Sequence, residues 1–372
     1  MGSIKQNLAN NILSGGKFHA TDLDGTIPNT NINDNSIDNV TSFPAAGSGI
    51  PSVASDPPSP SQGDVWYNTT SNAFKYVGAT TSGSWATGAN LNTARSALGG
   101  AGTQTASLAF GGSPPPAPTA KAVTESYDGT SWTEVNDLNT ARAYVGGFGT
   151  YTSAIAVGGD QYTGITESWN GTSWTELADI PGAGYSTSGT GGASNTSGIS
   201  FGGGPIGVAS YEWNGTSWTA APALNTGRSG LAGSGIQTAA IASGGSPGAG
   251  AGATYANTEL WNGSSWTEVN DLNSAVRRCR GSGSSTSALN FGGNNPPGNG
   301  PLAATNESWN GTSWTEEADL NTARTDASQG GGNQGGGNSL SITYGGGTPG
   351  DTAATEEWLG AGAPVTKTVT TA

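Results

Sequence analysis

A ten-residue phrase, ESWNGTSWTE, returns along this chain with small changes. Each time it is followed by an LNTAR-like stretch, a glycine-rich run and an apolar segment ending in Gly-Gly. The doublets are Gly111-Gly112, Gly158-Gly159, Gly202-Gly203, Gly244-Gly245, Gly292-Gly293 and Gly345-Gly346, at intervals of roughly 42 to 53 residues. A unit of that length cannot bury its own apolar face and must stack against its neighbours, and the spacing suits four short strands per unit.

Four strands parse out of each unit. The first follows LNTAR, as over 143–147, and the second leads into Gly-Gly, as over 107–110. The third ends at Tyr127, Trp169, Trp213, Trp261, Trp309 or Trp358, and the fourth carries Trp85, Trp132, Trp174, Trp218, Trp266 or Trp314. Eleven of the twelve tryptophans thus occupy two repeat positions, as a packed blade requires. Asn-Gly at 170–171, 214–215, 262–263 and 310–311, and Asp-Gly at 128–129, reads as a two-residue type I′ hairpin turn between strands three and four. That register sets Trp169 opposite Thr172 and Glu167 opposite Trp174. The last unit lacks its fourth strand, and Ser84-Trp85 near the start supplies one. The chain is therefore expected to be all-β, a six-bladed β-propeller over 83–360 sealed by its N-terminal strand, so that no edge stays open.

Composition alone, with 63 Gly and only 10% charged residues, would suit a disordered chain. The 12 Trp at fixed intervals argue otherwise. A net charge of −14, with no basic run, makes nucleic acid a poor partner. No apolar stretch approaches a membrane span, so no membrane insertion is expected. The N-terminus lacks the pattern of a secretory signal. Cys279 is the only cysteine, which precludes an intrachain disulfide, and it reads as a small buried residue.

Over residues 83 to 360 the Gly-Gly doublet, the third-strand aromatic and the fourth-strand Trp resemble the kelch repeat family, with a shorter turn between the two aromatics. The wording ESWNGTSWTE…LNTAR…GG is also similar to repeats in virion proteins of tailed bacteriophages. The segment Asp56 to Tyr76 resembles a short hairpin of phage tail fibres. These resemblances imply a non-enzymatic virion structural protein, a tail fibre or receptor-binding component located on the tail or particle surface. Its partners would be other virion proteins and a host-surface glycan or protein, with association into homo-oligomers. The domain reading is an anchoring or oligomerisation segment at 1–62, a linking hairpin at 63–82, the propeller, and a tail at 361–372 that adds to a neighbouring chain or hangs free. Within the first segment, residues 4–13 read as a short helix.

No enzyme site emerges from the residue pattern. Copper oxidases of the kelch type hold their metal with paired His and Tyr, whereas His19 is the only histidine and lies outside the repeats. No His or Cys cluster suggests zinc, and no cofactor is expected. Sialidases are six-bladed too, and residues 126–132 look like a shortened Asp-box. Arg95, Arg142, Arg228 and Arg324 nevertheless share one repeat position, which points to structural pairing with Glu125, Glu167, Glu259, Glu307 or Glu356 rather than to a substrate-binding triad. The Asn-Gly-Thr/Ser triplets read as turns, not glycosylation sites. Length varies mainly in the loops after Gly-Gly, and Pro114–Pro116 and Pro296-Pro297 stiffen two of them. Variable loops on one face of a rigid scaffold are how binding surfaces are built. The candidate ligand contacts are therefore Tyr255, Asn257, Asn294 and Asn295. The competing readings are a capsid or tail decoration protein and a carbohydrate-binding or sialidase-like propeller.

Overall fold

A computed structural model describes residues 50–57, 60–61, 63–79, 82–114, 119–160, 164–181, 189–204, 207–247, 253–295, 300–330, 339–348, 350–361 and 364–369. Residues 1–49, with the expected helix at 4–13, His19 and most of the anchoring segment, lie outside this set. The chain divides into two compact units, Gly83–Gly360 and the remainder. No described residue is α-helical.

Gly83–Gly360 consists of six four-stranded antiparallel sheets. Their first strands are Gly99–Thr103, Gly146–Thr150, Gly189–Ser194, Ala232–Ile236, Arg280–Ser284 and Ser328–Gly330. Each lies beside the next, and the sixth lies beside the first, so the sheets close into a ring. The sixth sheet is completed by Ser84–Thr87, which pairs with Thr355–Leu359 so that Trp85 faces Trp358.

The register of the outer hairpin differs from the sequence expectation. Trp169 pairs with Trp174 and Glu167 with Glu176, around a four-residue loop. The reason is the Asn side chain. Asn170 Oδ1 accepts the amides of both Thr172 and Ser173, and only Gly171 needs positive φ. A type I′ turn would need it at both central residues. Asp128 accepts the same two amides, and the Thr130 hydroxyl together with them holds its carboxyl at about 2. First strands also begin later than expected, at Gly146 rather than 143, because the preceding residues are spent on contacts between sheets.

The core is six slabs, one between each pair of neighbouring sheets. Trp169 and Trp174 lie in the first-to-second slab with Phe110, Leu138 and Val145. Trp213 with Trp218, Trp261 with Trp266, and Trp309 with Trp314 fill the next three. Trp85 with Trp358, and Tyr127 with Trp132, fill the two around the closure. The fourth-strand indole N–H also donates to a hydroxyl of the preceding sheet: Trp174 to Thr124, Trp218 to Thr166, Trp266 to Ser210, Trp314 to Thr258 and Trp132 to Thr355. Trp85 is the exception. Asn306 stands in the hydroxyl position, and neither Trp85 Nε1 nor Asn306 Oδ1 is hydrogen-bonded among the described residues.

First strands converge on the ring axis, where there is no room for side chains on both faces. A Cβ on Gly233 would come within 2.6 Å of Thr190 N and 2.7 Å of Gly189 Cα, backbone atoms that cannot swing aside. Gly233→Ala is therefore expected to lose about 1–3 kcal/mol to overpacking. Urea denaturation checks this, with a lowered midpoint and an unchanged slope as the expected result.

The second unit carries one sheet in the order Ser52–Val53, Val65–Asn68, Ala73–Ala79, Pro364–Val369. The C-terminal strand adds to the hairpin of its own chain rather than hanging free. Asp56 accepts hydrogen bonds from Trp66 Nε1, Asn68 Nδ2 and Lys75 Nζ, and these donors hold its carboxyl at about 2, below the ordinary 3.8. A depressed carboxyl stabilises the fold above its unfolded value and loses that contribution as pH falls through the folded one. This unit is expected to hold at pH 4 and to loosen toward pH 2. A carboxyl titration followed by NMR would read a midpoint near 2 for Asp56, and Lys75→Gln should move it upward.

Candidate ligand-binding face

Two features bring the linkers and the loops after Gly-Gly to one face of the ring. Antiparallel bridges join Ser96 to Ser113, Ser229 to Ser246, Arg277 to Asn294 and Thr325 to Gly347. The second glycine of five of the six doublets then donates its N–H to the linker of the following sheet: Gly112 to Arg142 O, Gly203 to Arg228 O, Gly245 to Val276 O, Gly293 to Arg324 O and Gly346 to Arg95 O. The doublet is glycine because both members have positive φ and a Cβ on Gly111 would sit 2.6 Å from Arg142 O. The opposite face carries the Asn-Gly and Asp-Gly loops and, in the first five sheets, two-residue turns such as Gln104-Thr105, while the corresponding connection of the sixth sheet spans residues 331–339.

The linker arginines lie beneath this face. Arg142 Nη1 donates to Gly158 O and Ile165 O, and its Nη2 pairs with Glu167 at 3.1 Å. Glu167 in turn accepts Asn139 N, Asn139 Nδ2 and Thr140 N, so one carboxylate fastens the linker to the sheet. Arg95 with Glu125, Arg228 with Glu259 and Arg324 with Glu356 repeat the pair. Burial lowers the proton affinity of each guanidinium, and the paired glutamate opposes that shift. All four arginines are at most 1% exposed and therefore out of reach of a substrate. In the fifth sheet Val276 takes the arginine's place, and Glu307 is held by Asn273 and Ser274 alone.

Two residues beyond the arginine position, Ala97, Tyr144, Gly230, Arg278 and Asp326 all adopt left-handed backbone. They form a belt around the channel mouth. Tyr144 N donates to Ala97 O, Ala97 N to Asp326 O, Asp326 N to Arg278 O and Arg278 N to Gly230 O. The corresponding position of the third repeat lies outside the described residues. Beside the belt lies a small depression of about 30 Å³ lined by Tyr144, Leu98, Leu231, Thr190, Ser328, Arg280 and inner-strand glycines. Arg280 Nε donates to Ala327 O and its Nη1 to Cys279 O, while Arg278 Nη1 pairs with Asp326 at 3.3 Å. Desolvation raises both Tyr144 and Asp326 above their ordinary values.

The four residues singled out from the sequence sit on two connections that flank one linker, Tyr255 bonded to Val276 and Asn294 to Arg277. Tyr255 and Asn257 belong to the fourth sheet's connection, where Asn257 Nδ2 donates to Glu268 and Tyr255 contributes backbone bonds to Gly245 and Val276. Asn294 and Asn295 belong to the fifth. Asn294 is buried, accepting from Thr325 Oγ1 and donating to Gly300 O, so its amide stiffens the loop. The residues at the channel mouth, Tyr144, Arg278, Arg280 and Asp326, were not among them. Their signal was the segment Arg277-Arg278-Cys279-Arg280, where three of the chain's 12 cations fall within four residues. Cys279 itself is fully buried, and burial pushes its thiol up.

No protein-family model matches the chain, and no curated protein matches it. Among solved structures, that of YjhT aligns with a TM-score of 0.56 at 12% identity, covering 72% of this chain and 95% of that one. At that identity the likeness concerns the fold alone, and it fits a kelch-like β-propeller.

Proposed function

We propose that this chain is a non-enzymatic virion protein of a tailed bacteriophage, a tail-fibre or receptor-binding component that displays its propeller for host-surface recognition. One observation carries the reading. The connections after Gly-Gly and the open channel mouth share one face, while the other face holds minimal turns in five of the six sheets. A rigid ring with most of its variation on one face is suited to presenting a surface to a glycan or protein. The four buried arginine–glutamate pairs support a structural use of the groups that an enzyme reading would enlist. Residues 1–62 are the proposed attachment to other virion proteins, and the repeat wording and the hairpin at Asp56 to Tyr76 are the link to phage particles.

Gold labelling of purified particles with an antibody against the propeller tests this. Label on fibres or at the tail tip is the expected result. Label spread over the capsid would favour a decoration role, and particles without label would overturn the virion reading. Deleting residues 1–62 is expected to abolish particle association while the propeller still folds.

A further inference from the structure

Arg280 differs from the four linker arginines in what neutralises it. Each of those faces its own buried glutamate. Arg280 is half-buried at the channel mouth, and its hydrogen-bond acceptors are two backbone carbonyls, Ala327 O and Cys279 O. Among the described residues no carboxylate forms an ion pair with it. The nearby Asp326 is engaged with Arg278. Burial accordingly weakens the guanidinium's hold on its proton, and Asp326 is the foremost charge opposing that shift.

A desolvated cation without a counter-ion is costly, and an anion that supplies one is favoured in proportion. The surroundings suit such an anion. Arg280 is the only charged residue lining the depression among the described residues, and Tyr144 adds a hydroxyl, while the Thr190 hydroxyl is spent on Gly147 O. The glycines at 99, 100, 146, 147, 189 and 233 leave the backbone bare, so a small group can approach closely. Arg278 stands at the rim with its side chain 37% exposed, adding positive potential at the entrance. Asp160 and Asp351 lie near the rim as well, but neither lines the depression.

We infer that the channel mouth is a binding site for a single oxyanion group, a carboxylate, sulfate or phosphate, held by the Arg280 guanidinium beside Tyr144. Planar guanidinium recognises such groups through paired N–H donors, and those of Arg280 not taken by the two carbonyls are available to it. The site does not depend on the display role. The group is supplied either as a free ion or on a sugar acid, and the two sources are separable.

The test is arginine side-chain NMR of the full chain, titrated with sodium sulfate, sodium phosphate and sodium glucuronate against sodium chloride at equal ionic strength. A saturable shift of the Arg280 Nε–H resonance is expected for at least one oxyanion and not for chloride. Tighter binding of glucuronate would identify a sugar-borne group, and tighter binding of sulfate or phosphate a free ion. Arg280→Lys should weaken binding at least tenfold, and Arg280→Gln should remove it. Tyr144→Gly keeps the left-handed backbone while removing the ring, and is expected to weaken binding in a protein that still folds. Wild-type shifts that stay linear and match chloride would overturn the site, as would unchanged affinity in Arg280→Lys and Tyr144→Gly. Either result would leave the particle-labelling experiment unaffected.

Discussion

Glu167→Ala is expected to destabilise the propeller by about 3–5 kcal/mol, the cost of removing one member of a buried ion pair. Three losses combine. Arg142 keeps its carbonyl acceptors but becomes a buried cation without a counter-ion, and Asn139 and Thr140 lose the acceptor that holds the linker. The linker also carries Arg142 O, which receives Gly112 N from the preceding sheet, so the damage reaches a second slab. Arg142→Met is expected to cost less, about 1–3 kcal/mol, because Glu167 keeps its three donors from Asn139 and Thr140. The fifth sheet contains that arrangement already, with Val276 in the arginine position and Glu307 bound to Asn273 and Ser274. The third repeat goes further, with Tyr211 at the acid position and no arginine. Replacing both partners, as Arg142→Met with Glu167→Leu, should therefore be milder than Glu167→Ala alone. A double-mutant cycle by urea denaturation measures the coupling. Equal costs for the two single changes would show that the carboxylate does no more than neutralise the arginine.

Much of this architecture was legible because the repeat states it six times. A doublet, an aromatic and a tryptophan at fixed offsets fix the strand order, and the missing fourth strand fixes the closure at Trp85. The hairpin register was misread because Asn-Gly was taken for backbone conformation alone. Asn170 acts through its side-chain oxygen, which the dipeptide does not reveal and which lengthens the loop by two residues. The pairing of linker arginines with third-strand glutamates was legible from their shared repeat positions. The channel mouth was not. Tyr144, Arg278 and Asp326 occupy one repeat position where the side chain changes from sheet to sheet, so periodicity hides them. Tyr144 also reaches Arg280 only across the ring, between the second and fifth sheets. Loop length points outward, to Tyr255 and Asn294, whereas Arg280, which forms no ion pair among the described residues, lies at the channel mouth.

The larger expected effect concerns the closure. The chain 83–360 should fold with the melting behaviour of the full protein's propeller, since this segment is compact by itself. The chain 90–360, which lacks Ser84–Thr87, should not. Its loss removes four paired residues from the edge of Thr355–Leu359 and takes Trp85 out of the slab containing Trp358, Phe291 and Leu320. Deleting a buried tryptophan side chain alone costs about 3–5 kcal/mol. A domain stable by about 5–15 kcal/mol has little left after that and the lost strand pairing. The exposed strand is also a template for association, because its N–H and C=O groups are unpaired and Trp358 faces solvent. Size-exclusion chromatography and thermal unfolding of the two fragments would separate them. A monomeric, cooperatively folded 90–360 would mean that the ring does not need its N-terminal strand. Trp85→Phe gives the finer reading. Trp85 Nε1 has no hydrogen-bond partner among the described residues, so this change should cost less than Trp174→Phe, which breaks the bond to Thr124 Oγ1. That bond is worth about 0.5–1.5 kcal/mol. The closure would then rest on packing and strand pairing, in the one slab where the ring of indole hydrogen bonds is interrupted.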